Sequence, residues 1–142
     1  MKKVKIFALM IFSLISIQTI SAQQLTKDAI VGEWLSENKE GKVQVYRQGE
    51  KIFGKIIWGK DGSRKDVKNP DDKLKSQNIV GSVILKGFDF TGKSWENGTI
   101  YDPNNGKTYS SIMKMSDNNT LTIRGFVGIS LLGRSTVWTR AK

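Results

Sequence analysis

From Val31 onward the chain is a succession of short runs rich in β-branched and aromatic residues, each bounded by glycine, asparagine, aspartate or proline. No stretch beyond that point sustains a helical period. Strand-length runs punctuated by turn residues are the mark of antiparallel β-structure. They predict strands at Val31–Glu37, Lys42–Arg47, Lys51–Gly59, Ile79–Phe88, Ser94–Tyr101, Lys107–Met115, Thr120–Val127 and Arg134–Arg140. The connections ENKEG, QGE, DFTGK, DPNNG and SDNN read as tight turns. In DPNNG, Pro103 fixes φ for the second turn position, Asn104 and Asn105 tolerate turn geometry, and Gly106 accepts a positive φ. Tyr101 and Tyr109 then fall on the two flanking strands, and Asp102 is a turn cap. A meander of eight strands must manage its exposed edges, and closing the sheet removes them. The predicted fold is all-β: an eight-stranded antiparallel up-and-down barrel, preceded by a short helical turn with Thr26 as its N-cap.

The first residues have a different character. Lys2, Lys3 and Lys5 precede a mostly apolar stretch from Ile6 to Ile17, and Ser21-Ala22 supplies small residues before Gln23. That order of basic, apolar and small segments is a secretory signal peptide. The apolar run is shorter than the roughly 20 residues needed to span a bilayer. The expectation is a signal peptide at residues 1–22 cleaved near Ala22, a single barrel domain at 23–142, no transmembrane segment after cleavage, and a periplasmic or secreted protein. A domain of that length can bury a core without disulfides, which suits a chain with no cysteine.

The formal net charge is +10, and three of its lysines lie in the signal segment. The densest basic region, Lys60 to Lys75, also holds Asp61, Asp66, Asp71 and Asp72. The positive charge therefore reads as a solvated surface rather than a nucleic-acid site. The same Lys60–Asn78 connection is too long for a hairpin, which makes it a candidate functional loop.

Histidine is absent as well as cysteine. Their absence removes the commonest metal ligands, the usual general base and the thiol nucleophile, and a Ser-His-Asp triad is impossible. No catalytic residue, cofactor or metal site is predicted. An enzyme would have to rely on carboxylates, tyrosine, lysine or arginine. Asp66, Asp71, Asp72 and Asn69 could supply hard oxygen ligands, but their spacing does not match an ordered calcium loop.

Strand alternation places Tyr109, Ser111, Met113 and Met115 on one face, and Ile52, Gly54, Ile56 and Trp58 on one face of theirs. An eight-stranded barrel is just wide enough to be filled or to hold one small ligand. Tyr109, Met113, Met115 and Trp58 are candidate ligand contacts inside it, with Asp66 and Asn69 at its mouth. Each of these has a plain structural alternative as core, rim or turn residue. Trp58 and Trp95 could stack on a sugar or an aromatic ligand. The glycine-bounded segment GFVGISLLGR carries Ile129, Leu131 and Leu132. It reads as a plug tucked into the barrel end, with an exposed lid or partner surface as the alternative.

Gly32-x-Trp34 on the first strand and Arg140 on the last resemble the closure of lipocalin-like (calycin) barrels, in which the arginine packs across the tryptophan. More extensively, "GEWLSE", "VQVYRQGEKIFGKIIW", "DVKNPDDKLKSQNIVG", "WENGTIYDPNNGKTYSSIMKM" and "LTIRGFVGISLLGRSTVWTR" resemble, in order, an uncharacterised bacterial secreted family, domain of unknown function 2147. The third piece departs from the family pattern, with Lys75, Gln77 and Asn78 where basic residues and a proline are usual. The resemblance implies a fold and a compartment, and carries no activity. The leading expectation is an exported barrel that binds a small hydrophobic or amphipathic ligand without catalysis. The alternative is an envelope-associated interaction module with a filled barrel, and a carboxylate/tyrosine enzyme comes third.

Overall fold

The computed structural model describes residues 24–142; the predicted signal peptide lies outside the described residues. Eight strands follow one another: β1 (Gly32–Leu35), β2 (Gly41–Gln48), β3 (Lys51–Gly59), β4 (Val83–Phe90), β5 (Trp95–Asp102), β6 (Lys107–Asp117), β7 (Thr120–Phe126) and β8 (Arg134–Arg140). Each pairs antiparallel with its sequence neighbours, and β1 pairs with β8 to close the barrel. A 3-10 turn at Lys27–Ile30 precedes β1. Its Thr26 does not cap it as expected: the hydroxyl makes no capping bond, and the Thr26 carbonyl accepts from the Ala29 N–H instead.

Three predicted strands are shorter than expected: β7 loses only Val127, and the other two shorten for local reasons. β1 stops at Leu35 because Ser36 turns the chain: its Oγ accepts the Gly41 N–H at 3.0 Å, and Lys39 takes a positive φ. The fourth strand begins at Val83 rather than Ile79. The Ser82 N–H closes a turn onto the Ile79 carbonyl, with Gly81 at φ +100°. Ile79 is nevertheless buried in the core.

The barrel has two unlike ends. At the base, the Lys27–Ile30 turn lies across the opening and buries Ile30. Two indoles hold it: Trp34 Nε1 donates to the Ile30 carbonyl at 2.8 Å and Trp95 Nε1 to the Lys27 carbonyl at 3.0 Å. Both rings are fully buried and, with Phe88, Leu85, Met113 and Leu121, form the largest part of the core. Buried Trp N–H groups need an acceptor, so the order of burial and bonding here fixes the base as a packed, closed end.

Closure depends on Arg140. Its guanidinium stands 4.3 Å from the centre of the Trp34 ring. Its Nη1 donates to the Val31 carbonyl at 3.1 Å, Nη2 to Ala29 at 2.8 Å, and Nε to Asn118 at 2.6 Å. One side chain thus joins the last strand to the turn before the first strand and to the β6–β7 turn. Gly32 makes room for it. At φ +139°, a Cβ there would stand 2.7 Å from Arg140 Nη1. The glycine, tryptophan and arginine singled out in the sequence therefore act as one unit.

Candidate functional site: the barrel mouth

The other end is open. Four connections surround it: Ser36–Glu40, Lys60–Ser82, Pro103–Gly106 and Val127–Gly133. Between them is a cavity of about 1340 Å³. Its inner wall is apolar and includes Val43, Ile56, Ile84, Ile100, Ile123 and Trp138. Trp58, Tyr101 and Tyr109 contribute aromatic surface higher up, and Lys60, Arg64 and Arg134 stand at the rim with Glu40, Asp61 and Asp102.

The long connection is an ordered flap. Its two limbs pair, with Asp66 N–H donating to the Gln77 carbonyl and Ile79 N–H to the Arg64 carbonyl, both at 3.0 Å. Asp71 caps a 3-10 turn at Asp72–Leu74 by accepting from the Lys73 N–H. The flap docks on the DPNNG hairpin at three points. Tyr101 Oη donates to Asp66 Oδ1 at 2.7 Å, and Arg64 Nη2 donates to Asn104 Oδ1 at 2.8 Å. Third, the Lys68 carbonyl lies so close to Gly106 that a Cβ on the glycine would sit 1.9 Å from its oxygen. Gly106 thus serves both the turn, at φ +72°, and the docking. Asp102 caps that turn, its Oδ1 accepting from the Asn104 N–H at 2.9 Å.

Asp66 is only 4% exposed. Its second oxygen accepts from Asn69 Nδ2 at 2.8 Å, while Asn69 Oδ1 accepts the Asp71 N–H. Both residues are therefore spent on holding the flap, and neither lines the cavity. The Tyr101 phenol is pushed up to about 12, by its burial first, then by its hydrogen bond to Asp66 and by the negative charges of Asp66 and Asp102. At neutral pH it keeps its proton and donates, which makes it a fastener rather than a general base.

Of the predicted ligand contacts, Tyr109 and Trp58 line the cavity. Tyr109 Oη accepts from Asn105 Nδ2 at 2.8 Å. Trp58 does not share the inward face of Ile52, Gly54 and Ile56. Lys42 pairs with Trp58 but Val43 pairs with Ile56, so Ile57 is an extra residue in β3. Such a bulge re-aims the residues beyond it. Trp58 is 42% exposed on the rim, with Lys42 Nζ 5.8 Å from its ring centre. Met113 lies deeper, fully buried in the base core opposite Trp95, and Met115 packs against the same core. Trp95 likewise belongs to the base.

Sequence reasoning missed the aliphatic wall. Its signal was present in part, since Ile56 occupies a face that alternation had already marked. A further feature lies just below the wall. Ser111 sits on the interior face between Tyr109 and Met113, opposite Gly98 and Gly125, and its buried Oγ has no hydrogen-bond partner. The Val127–Gly133 connection is not the plug expected of it: Val127, Ile129, Leu131 and Leu132 are 74%, 58%, 83% and 77% exposed. Arg124 holds the loop upright, donating through Nε to the Ser130 carbonyl and through Nη1 to Ser135 Oγ. The loop's return is tight, since a Cβ on Gly133 would stand 2.3 Å from the Gly125 carbonyl oxygen and 2.8 Å from Phe126 Cβ.

Among the described residues, no three carboxylates gather as a metal cluster, and no helix is long and apolar enough to cross a membrane. A family model described as an uncharacterized protein conserved in bacteria (DUF2147) matches residues 32–140. No curated protein matches the chain. Among solved structures, it is similar to protein HP1028 from the human pathogen Helicobacter pylori, which belongs to the lipocalin family. The TM-score is 0.71 at 24% identity, covering 79% of this chain and 82% of that one. That likeness concerns the fold: a closed, lipocalin-like β-barrel.

Proposed function

The chain belongs to the DUF2147 family, and we propose that it is an exported barrel that binds one small amphipathic ligand in its mouth cavity, without catalysis. The observation that carries this reading is the cavity itself. Its wall is aliphatic and its rim bears Lys60, Arg64 and Arg134. Small-molecule sites are typically concave and apolar, with a few polar groups that set orientation, and lipocalin-type barrels of eight strands hold one such molecule. An apolar tail would lie against Ile56, Ile84, Ile100 and Ile123, and an acidic head would reach the rim bases. Ser111 offers the one unpaired hydroxyl beneath the wall, which suits a ligand with a polar atom at its inner end or an enclosed water. The signal peptide read from the first 22 residues supports binding in the periplasm or outside the cell.

A filled barrel serving as an envelope-protein module fits less well, because an apolar-walled cavity opens at the mouth. An enzyme finds less support, because Tyr101 and Asp66, the buried acid–phenol pair, bond to each other to hold the flap.

Titration of the protein with long-chain carboxylates, followed by tryptophan fluorescence, tests the reading, since Trp58 and Trp138 both line the cavity. Saturable quenching that Ile100→Trp abolishes by filling the space is the expected result. A response unaltered by Ile100→Trp, or no response to any amphiphile, contradicts it.

A further inference from the structure

The mouth carries an exposed apolar knob; Val127 and Leu132 also border the cavity, whereas Ile129 and Leu131 do not. Val127, Ile129, Leu131 and Leu132 stand out from the rim, ordered by the 3-10 turn at Ser130–Leu132 and by the two Arg124 bonds at its foot. Contiguous apolar exposure of this kind marks a docking surface. Two features say what covers it. First, the knob is a single connection, Val127–Gly133, and a narrow apolar tip of that kind can enter the acyl boundary of a bilayer. Second, the charge around it is unevenly satisfied. The rim carboxylates Glu37, Glu40, Asp61 and Asp102 are oriented by neutral donors, Thr136, Asn38, Ser63 and the Asn104 N–H, and keep their charge. Lys60, Lys68, Lys107 and Arg134 have no acidic partner among the described residues. At the base Lys27, Arg47 and Lys51 are paired to Glu50, Asp28 and Asp89, while Lys93 has no acidic partner among the described residues; on the flap Lys75 pairs with Asp72.

We propose that the barrel docks mouth-first on an anionic lipid bilayer, with Ile129, Leu131 and their neighbours entering the acyl boundary and the free rim bases facing the headgroups. Interfacial anchors combine buried apolar area with attraction to anionic lipid in this way. The orientation brings the cavity opening against the bilayer, where an amphipathic ligand would enter or leave without crossing water. The docking stands on the knob and the charge pattern, and does not require the cavity to be a binding site.

The test uses protein from cells expressing the full chain. Co-sedimentation compares vesicles of phosphatidylglycerol and phosphatidylethanolamine with vesicles of phosphatidylcholine alone. Binding to the anionic vesicles falls at least about fivefold when salt is raised from about 0.05 to about 0.5 M. Ile129→Asn/Leu131→Asn lowers it at least about tenfold. Neither residue lines the cavity, so carboxylate titration of this variant without vesicles stays unchanged, and its circular dichroism matches the parent. Because the chain has no cysteine, a single thiol can report orientation. An environment-sensitive dye on Ser130→Cys shifts to the blue with anionic vesicles, whereas the same dye on Lys93→Cys, in the β4–β5 turn at the base, does not. The proposal fails if the parent ignores anionic vesicles, if the double substitution leaves binding unaltered, or if both dyes respond equally. It also fails if the knob proves to be covered by a second copy, shown by a dimer that the double substitution dissociates.

Discussion

Tyr101→Phe tests whether the flap is held by the bond assigned to it. The change keeps the ring and deletes one hydroxyl, leaving Asp66 Oδ1 without its 2.7 Å donor in a site only 4% exposed. A hydrogen bond to a charged group contributes about 1.5–3 kcal/mol, and the stranded acceptor must be desolvated. The loss falls on the flap, because Asp66 holds residues 64–79, while the barrel strands keep their ladders. About 2 kcal/mol is a factor of about 30 in the opening equilibrium. Hydrogen exchange reads this directly: the Asp66 and Ile79 amides, bonded to the Gln77 and Arg64 carbonyls, should exchange about 30-fold faster. Amides of β6 and β7 should be unchanged. The pH dependence has a definite sign. Tyr101 is raised from 10.0 to about 12 in the folded protein, so its contribution is complete below pH 10 and is lost as pH rises toward 12. The difference between the parent and Tyr101→Phe should close over that window. Acceleration under about threefold at pH 7, or equal acceleration throughout the barrel, would refute the assignment.

Further outcomes follow from the closure and the cavity. Arg140→Met removes the cation–π contact and three carbonyl bonds, and should lower stability by about 2–4 kcal/mol in urea denaturation. Gly32→Ala places a Cβ 2.7 Å from Arg140 Nη1 at φ +139° and should cost about 2 kcal/mol. Its effect should shrink by at least about 0.5 kcal/mol in an Arg140→Ala background, because the two act on one contact. Ser111→Ala deletes a buried, unpartnered hydroxyl. It should raise ligand-free stability by about 1 kcal/mol, while weakening a ligand whose polar atom reaches that depth, as read by titration calorimetry.

The barrel was legible in the sequence because turn chemistry is local. DPNNG, QGE and SDNN each state where the chain reverses, and the strands are what remains. The Trp34–Arg140 pairing was legible through the resemblance to lipocalin-like closure, which sets a last-strand arginine across a first-strand tryptophan. Alternation tells which face of a strand a residue occupies, but not its height along the barrel axis. Met113 and Tyr109 share a face, yet one belongs to the base and the other to the mouth. Nor does alternation survive a bulge: the extra residue at Ile57 moved Trp58 from wall to rim. The flap was recognised as a long connection, but its docking on Gly106 and Tyr101 joins segments far apart in the chain, with no local signature. The GISLLG knob was misread because apolar composition alone does not say whether a loop tucks in or stands out; the Arg124 bonds to Ser130 and Ser135 that hold it have no local signature.

The most direct measurement of the central claim is native mass spectrometry of the protein recovered gently from cells producing the full chain. The account predicts a population heavier by one small amphiphile, released on activation and absent from Ile100→Trp prepared identically. A parent protein found only at its polypeptide mass, and unshifted after incubation with long-chain carboxylates, would contradict it.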